Sequence, residues 1–192
     1  SFEIEQGEIF GLLGPNGAGK TTTLSMLSTM QKPTSGFAAV QGRDIQKDED
    51  GVRKAIGIVF QDQSLDEELT ARENMDFHGR LYRLPPEIRR QRIDELLQLV
   101  ELHDRKDDLV KTFSGGMRRR LEIARGLLHH PSVLFLDEPT LGLDPQTRNH
   151  LWKYIATLSK EKNITIILTT HYMEEADRLC DRIAIIDHGT II

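Results

Sequence analysis

The sequence predicts an α/β fold with a mostly parallel central sheet, and three observations predict it. A short, continuously apolar run at 133–136 and a second buried strand at 164–168 alternate with segments of helical periodicity. Strands buried on both faces read this way, and strand–helix alternation implies right-handed crossovers between parallel strands. The stretch Gly14-Pro15-Asn16-Gly17-Ala18-Gly19-Lys20-Thr21 has the spacing G-x-x-x-x-G-K-T and lies between an apolar run and a helical segment, the context in which this P-loop cradles phosphate. Two adjacent carboxylates, Asp137-Glu138, directly follow the apolar run 133–136. Ligands of parallel sheets bind beyond the carboxyl ends of the strands.

Each element has its own reason. Residues 2–5 alternate like a half-buried strand, and 9–13 form the apolar strand that enters the P-loop. A helix is expected from Lys20 to about Met30, ending before Pro33, because the residue ahead of a proline resists the α region. Residues 37–40 and 55–60 read as further short strands. From Gln61 to about Arg120 the texture becomes charged and helical, and Pro85-Pro86 opens a helix with Ile93, Leu96, Leu97 and Val100 on one face. The α/β pattern then returns. Pro145 starts a helix with Leu151, Ile155 and Leu158 on one side, residues 164–168 form a strand, 173–180 a short helix and 183–186 another strand. The core is therefore placed at about 1–60 and 121–192, with a helical insertion at about 61–120.

Composition bounds the class. A chain of 192 residues with 38% apolar and 29% charged residues is an ordinary globular domain. A net charge of −5 carries no nucleic-acid signature. The single cysteine, Cys180, excludes an intrachain disulfide and implies a reducing compartment. No apolar run approaches the roughly 18 residues a membrane span needs, and residues 1–8 carry acids rather than a basic leader. The chain opens on Ser1 and closes inside an apolar run at Ile191-Ile192, which reads as a portion of a longer polypeptide.

The candidate chemistry follows from residue type. Glycines let the backbone wrap an anion, and Lys20 supplies a compact charge for β- and γ-phosphates. The Thr21 hydroxyl and the Asp137 carboxylate suit Mg²⁺, while Glu138 suits a base for an attacking water. Ser114-Gly115-Gly116 opens a second helix, with Met117, Leu121, Ala124 and Leu128 on one face and Arg118, Arg119, Arg120 and Arg125 crowding it. Ser114 suits an N-cap. Two glycines in a first turn cost roughly 1 kcal/mol each against alanine, which a ligand approaching the backbone would justify. By residue type alone, Gln61 and His171 after their strands read as polar surface.

Taken in order, these motifs resemble the nucleotide-binding domain of an ABC transporter: Walker A at 14–21, the Q-loop at Gln61, the signature at 114–116, Walker B with its glutamate at 133–138, the D-loop at Leu143-Asp144 and the switch histidine at His171. The resemblance implies a P-loop NTPase fold with a small antiparallel β subdomain and an inserted helical signature subdomain. It implies ATP held by residues 14–21 and Thr22, Mg²⁺ at Thr21, Gln61 and Asp137, and catalysis by Glu138 with Gln61 and His171. Two such domains, identical or paralogous, are expected to meet head to tail. Ser114, Gly115, Gly116 and Asp144 of each would then act across the interface. A membrane permease would be the other partner, with the domain on the cytoplasmic face and no nucleic acid involved.

Residues 61–66, 69–74, 79–82, 117–125 and 140–145 further resemble drug-export ATPase subunits of the daunorubicin-resistance type, a texture shared with polysaccharide and lipid exporters. Met117 stands where glutamine is commonest, and Leu141-Gly142 where Ser-Ala is common. The family's adenine-stacking aromatic falls upstream of Ser1. The alternative is a soluble, non-transport ABC ATPase of translation or DNA-repair type. A kinase or GTPase switch would account for 14–21 but not for Ser114-Gly115-Gly116, and no N-K-x-D guanine motif is present.

Overall fold

The computed structural model describes residues 1–192. Its main sheet has the strand order β4-β5-β6-β1-β7-β8, made of β1 (Ile9–Leu13), β4 (Ile56–Val59), β5 (Val133–Asp137), β6 (Thr165–Thr170), β7 (Arg182–Asp187) and β8 (Thr190–Ile191). All neighbours pair in parallel except β7 with β8, which are antiparallel. A separate antiparallel pair, β2 (Ala39–Val40) and β3 (Arg43–Asp44), forms the small β unit.

Alternation along β5 fixes which helices cover which face. Leu134 and Leu136 join Ile123, Leu127, Leu151, Trp152 and Ile155 in one core, beneath α5 (Gly115–Leu127) and α6 (Pro145–Lys162). Val133 and Phe135 point the other way, into a core with Leu24 of α1 (Lys20–Leu27) and Val52 of α2 (Glu49–Ala55). Strands clothed on both faces need no polar alternation, and β5 is buried throughout.

A third core, with Met75, Ile93, Leu97 and Val110, holds α3 (Ala71–Leu81) and α4 (Pro86–Leu99) together. The Thr70–Glu73 capping box starts α3, and Pro86 stands in the first turn of α4. The helix α5 serves both units: Leu121 and Ala124, with Leu128 just past its end, join the α3 and α4 core, while Ile123 and Leu127 face the sheet. It therefore straddles the division expected at 120/121. A Cβ at Gly57 of β4 would lie 2.4 Å from the Gly126 carbonyl, so α5 sits directly on the sheet.

Several sequence expectations change. Residues 2–5 form no strand; Phe2 and Ile4 instead pack on Phe10, with the Phe2 and Phe10 rings stacked at 5.1 Å. The strand expected at 37–40 shrinks to Ala39–Val40, and Phe37 is exposed. The first helix ends at Leu27, short of Met30. The strand expected at 55–60 starts one residue later, since Ala55 closes α2 (Glu49–Ala55). The helix α7 (Met173–Leu179) and β7 fall where expected, yet Ile183 and Ile185 lie on an exposed face.

Candidate active site

Four loops leave the sheet side by side. Gly14 follows β1, His171 follows β6, Glu138 follows β5, and Gln61 lies two residues beyond β4. The order β4-β5-β6-β1 makes these strands consecutive neighbours, and parallel pairing puts all four exits at the same carboxyl edge. Registers such as Leu13↔Thr170 and Asp137↔Thr169 align those exits closely.

The P-loop geometry fits a polyphosphate. Gly19 is the N-cap of α1 in a left-handed conformation (φ 104°), and no side chain caps the helix. The backbone N–H groups of Gly17, Gly19, Lys20, Thr21 and Thr22 donate to no protein acceptor. Donors converging at an uncapped helix N-terminus are what an anion requires. At Gly14 a Cβ would come within 2.2 Å of the Ile186 carbonyl, so only glycine fits there. Lys20 is buried, and its Nζ donates to the carbonyls of Gly14 (2.8 Å) and Pro15 (3.0 Å).

Lys20, Thr21, Asp137, Glu138 and His171 converge on one another. Thr21 Oγ1 donates to Asp137 Oδ2 at 2.9 Å, and Thr169 Oγ1 donates to Asp137 Oδ1. Lys20 Nζ lies 3.4 Å from Glu138 Oε1. His171 Nδ1 lies 3.0 Å from Glu138 Oε2, close but off the line of a hydrogen bond. No three His, Cys, Asp or Glu side chains gather as an all-protein metal cage. A hydroxyl beside one carboxylate matches Mg²⁺, which takes few protein ligands and shares substrate phosphates.

Glu138 has φ 45°. A residue without a glycine's freedom held there costs about 1–3 kcal/mol and persists only where the surroundings fix it. Its N–H donates to Thr169 Oγ1 at 3.0 Å.

The remaining expected residues lie apart from this cluster. Gln61 is exposed and makes no side-chain hydrogen bond to Asp137 or Glu138. Ser114 caps α5 by accepting from Met117 N at 3.3 Å, and Ser114 and Gly115 are exposed. Gly116 has a packing reason of its own: a Cβ there would meet Thr147 Cγ2 at 2.2 Å. Asp144 caps α6, accepting from Thr147 N (3.0 Å) and Thr147 Oγ1 (2.6 Å), and these hydrogen bonds hold its carboxyl below the usual range.

Sequence reasoning missed the supporting buried polar groups. Thr140 Oγ1 and Trp152 Nε1 both donate to Glu175 Oε1, at 2.8 and 3.0 Å. Arg119, seen only as one of a basic cluster, is buried against main-chain carbonyls. Its i,i+3 partner Glu122 was the available signal.

This fold and this loop geometry define a nucleoside-triphosphate-binding P-loop domain. The family model for ABC transporters matches residues 1–141, and the chain belongs to that family. It is 48% identical over its whole length to the linearmycin resistance ATP-binding protein LnrL of Bacillus subtilis (strain 168), covering 61% of that protein. It is 48% identical to the daunorubicin/doxorubicin resistance ATP-binding protein DrrA of Streptomyces peucetius over 98% of the chain and 57% of that protein. The Nod factor export ATP-binding protein I of Ralstonia nicotianae is 47% identical, over 98% of the chain and 59% of that protein. The chain thus spans about three-fifths of the length of these relatives.

Among solved structures, cbiO1 of Clostridium perfringens, part of the ABC transporter complex cbiONQ, superposes with a TM-score of 0.92 at 33% identity, covering 100% of this chain and 78% of that one. A dimeric ATP-binding cassette in a post-hydrolysis state, bound to ADP and Pi, gives 0.86 at 31% identity, covering 99% and 85%.

Proposed function

We propose that this chain is the ATP-binding and ATP-hydrolysing domain of an ABC exporter. The observation that carries the reading is the convergence of Lys20 and His171 on Glu138, beside the Thr21–Asp137 pair, at one carboxyl edge of the sheet. In this reading the free N–H groups of Gly17 and of residues 19–22, with the Lys20 ammonium, bind the phosphates and orient them. Glu138 takes a proton from the water that attacks the γ-phosphorus, a role typically worth about 10²–10⁴ in rate. His171 lies on the other side of the Glu138 carboxylate, with Nδ1 3.0 Å from Oε2, and faces the γ-phosphate, and Gln61 approaches from β4. Mg²⁺ held by Thr21 and Asp137, with Gln61, would neutralise charge on the β- and γ-phosphates.

Two further partners belong to the proposal. A second ABC domain, identical or paralogous, closes its Ser114-Gly115-Gly116 and Asp144 over the nucleotide of the first; the dimeric form of the ADP-bound relative supports this. A membrane permease is the other. No helix of this chain is long and apolar enough to cross a membrane, and a cavity of about 260 Å³ beside α3 exposes Phe77 and Leu81 for docking. In this reading the domain sits against the permease on the cytoplasmic face. The resistance names of two relatives and the export name of the third favour export over the non-transport alternative; drugs, lipids and polysaccharides are the cargo classes that fit.

The test is the solution mass of the Glu138→Gln variant with and without Mg-ATP, together with its turnover. The expected outcome is a shift from monomer to dimer on adding Mg-ATP, with turnover lost and ATP still bound. Turnover within about threefold of the parent would remove Glu138 as the base, since so small a loss is far below what a base supplies. A monomer that binds ATP tightly would remove the composite site.

A further inference from the structure

The Arg119 guanidinium is 7% exposed and spends its donors on main-chain carbonyls from three places. Nε donates to Pro139 O at 3.0 Å and Nη2 to Asp137 O at 2.7 Å. Those carbonyls belong to the residues immediately before and after Glu138. Nη1 donates to Phe60 O at 2.5 Å, on the residue before Gln61, and to Glu122 Oε2 at 3.1 Å. The other Glu122 oxygen accepts from Ser64 N at 2.8 Å. One side chain, rooted in the helix that Ser114-Gly115-Gly116 opens, therefore grips the backbone at the exits of both β4 and β5.

Glu138 is the residue with most need of such a grip, because its φ of 45° is strained. Such a conformation relaxes unless its surroundings over-determine it. The flanking carbonyls can be fixed by a planar fork with donors at set angles, and a point-charge ammonium cannot span both.

We propose that Arg119 is a positioning residue for Glu138: by bracketing Glu138 through the Asp137 and Pro139 carbonyls, it holds the carboxylate in the orientation that hydrolysis needs, and it ties that orientation to the α5 helix and to the segment that carries Gln61. This rests on the reading of Glu138 as the base. Arg119 touches neither nucleotide nor water in this account. Its loss acts on the chemical step and leaves nucleotide binding by the P-loop intact.

The experiment compares steady-state ATP turnover, nucleotide affinity and thermal melting in the full-length protein. The variants are Arg119→Lys, Arg119→Gln combined with Glu122→Gln, and Glu138→Gln. The double variant avoids leaving Glu122 as an unpaired buried charge, which would destabilise the fold for an unrelated reason. The expected result for both Arg119 variants is a kcat lowered about tenfold or more, part of the roughly 10²–10⁴ a base contributes, with KM for ATP and melting close to the parent. A kcat within about threefold of the parent, while Glu138→Gln is inactive, would overturn the proposal and leave the base assignment standing. Loss of nucleotide binding together with turnover in both Arg119 variants would also overturn it, assigning Arg119 to the fold alone. An active Glu138→Gln would remove the underlying reading, and that result is visible in that variant without reference to Arg119.

Discussion

Lys20 shows how one side chain meets two demands. Its ammonium is buried, so each of its protons needs a partner, and it finds Gly14 O, Pro15 O and the Glu138 carboxylate within 3.4 Å. A phosphate would compete for the same charge, because a buried cation cannot be left unpaired. Lys20→Ala is therefore expected to weaken ATP affinity by at least tenfold, about 1.4 kcal/mol, measured by titration with labelled nucleotide. Affinity near the parent's would contradict the P-loop assignment. Glu138→Gln is expected instead to spare binding and abolish turnover. The pair would then separate binding from chemistry within a single ion pair.

At the scale of elements, the first turn of α5 lies against the first turn of α6. Gly116 leaves no room for a methyl beside Thr147 Cγ2, and Thr147 is held by Asp144 through two hydrogen bonds. The signature helix and the D-loop helix thus share one contact. Gly116→Ala should gain helix propensity of up to about 1 kcal/mol. It should lose about 1–3 kcal/mol to overpacking, for a net loss of stability. Adding Thr147→Ser, which removes Cγ2 and keeps the hydroxyl that binds Asp144, should recover most of the loss in a denaturant titration. A neutral or stabilised Gly116→Ala would show that Gly116 is not there for packing.

The whole molecule carries a pH dependence away from the carboxyl edge of the sheet. His78 on α3 sits among Tyr82, His129 and Arg125, with the Tyr82 and His129 rings stacked at 3.8 Å. Burial, then Arg125 and His129, lower its pKa from 6.5 to about 4, and burial lowers that of His129 as well. The unfolded chain takes up a proton near 6.5 that the folded chain refuses until about 4, so the unfolded state binds more protons in between. Stability is fully present above about pH 6.5 and falls as pH drops toward 4. Thermal melting between pH 7.5 and pH 4.5 should fall, and His78→Gln should show a shallower fall than the parent. An identical slope would remove His78 from the acid response. Cys180, pushed up to about 12 by burial and by Glu175 and Asp181, should resist thiol reagents in the folded state.

The P-loop motif, the carboxylate pair beyond β5 and the parallel sheet were legible in the sequence. Local spacing and uninterrupted apolar runs encode each of these within a short window. The sequence also located Gln61, His171, Ser114 and Asp144 at strand exits and helix starts, because those positions are marked by the elements beside them. Tertiary structure alone decided that Lys20, Glu138 and His171 meet while Gln61 and Ser114 stand off, since strand order, and not chain order, sets neighbours at the carboxyl edge. It alone decided that Phe2 and Ile4 pack on Phe10 without forming a strand: alternation marks a face but supplies no ladder partner. And it alone separated Arg119 from the arginines around it: the i,i+3 pair with Glu122 marks a partner, but burial against the Asp137 and Pro139 carbonyls depends on residues eighteen and twenty positions away.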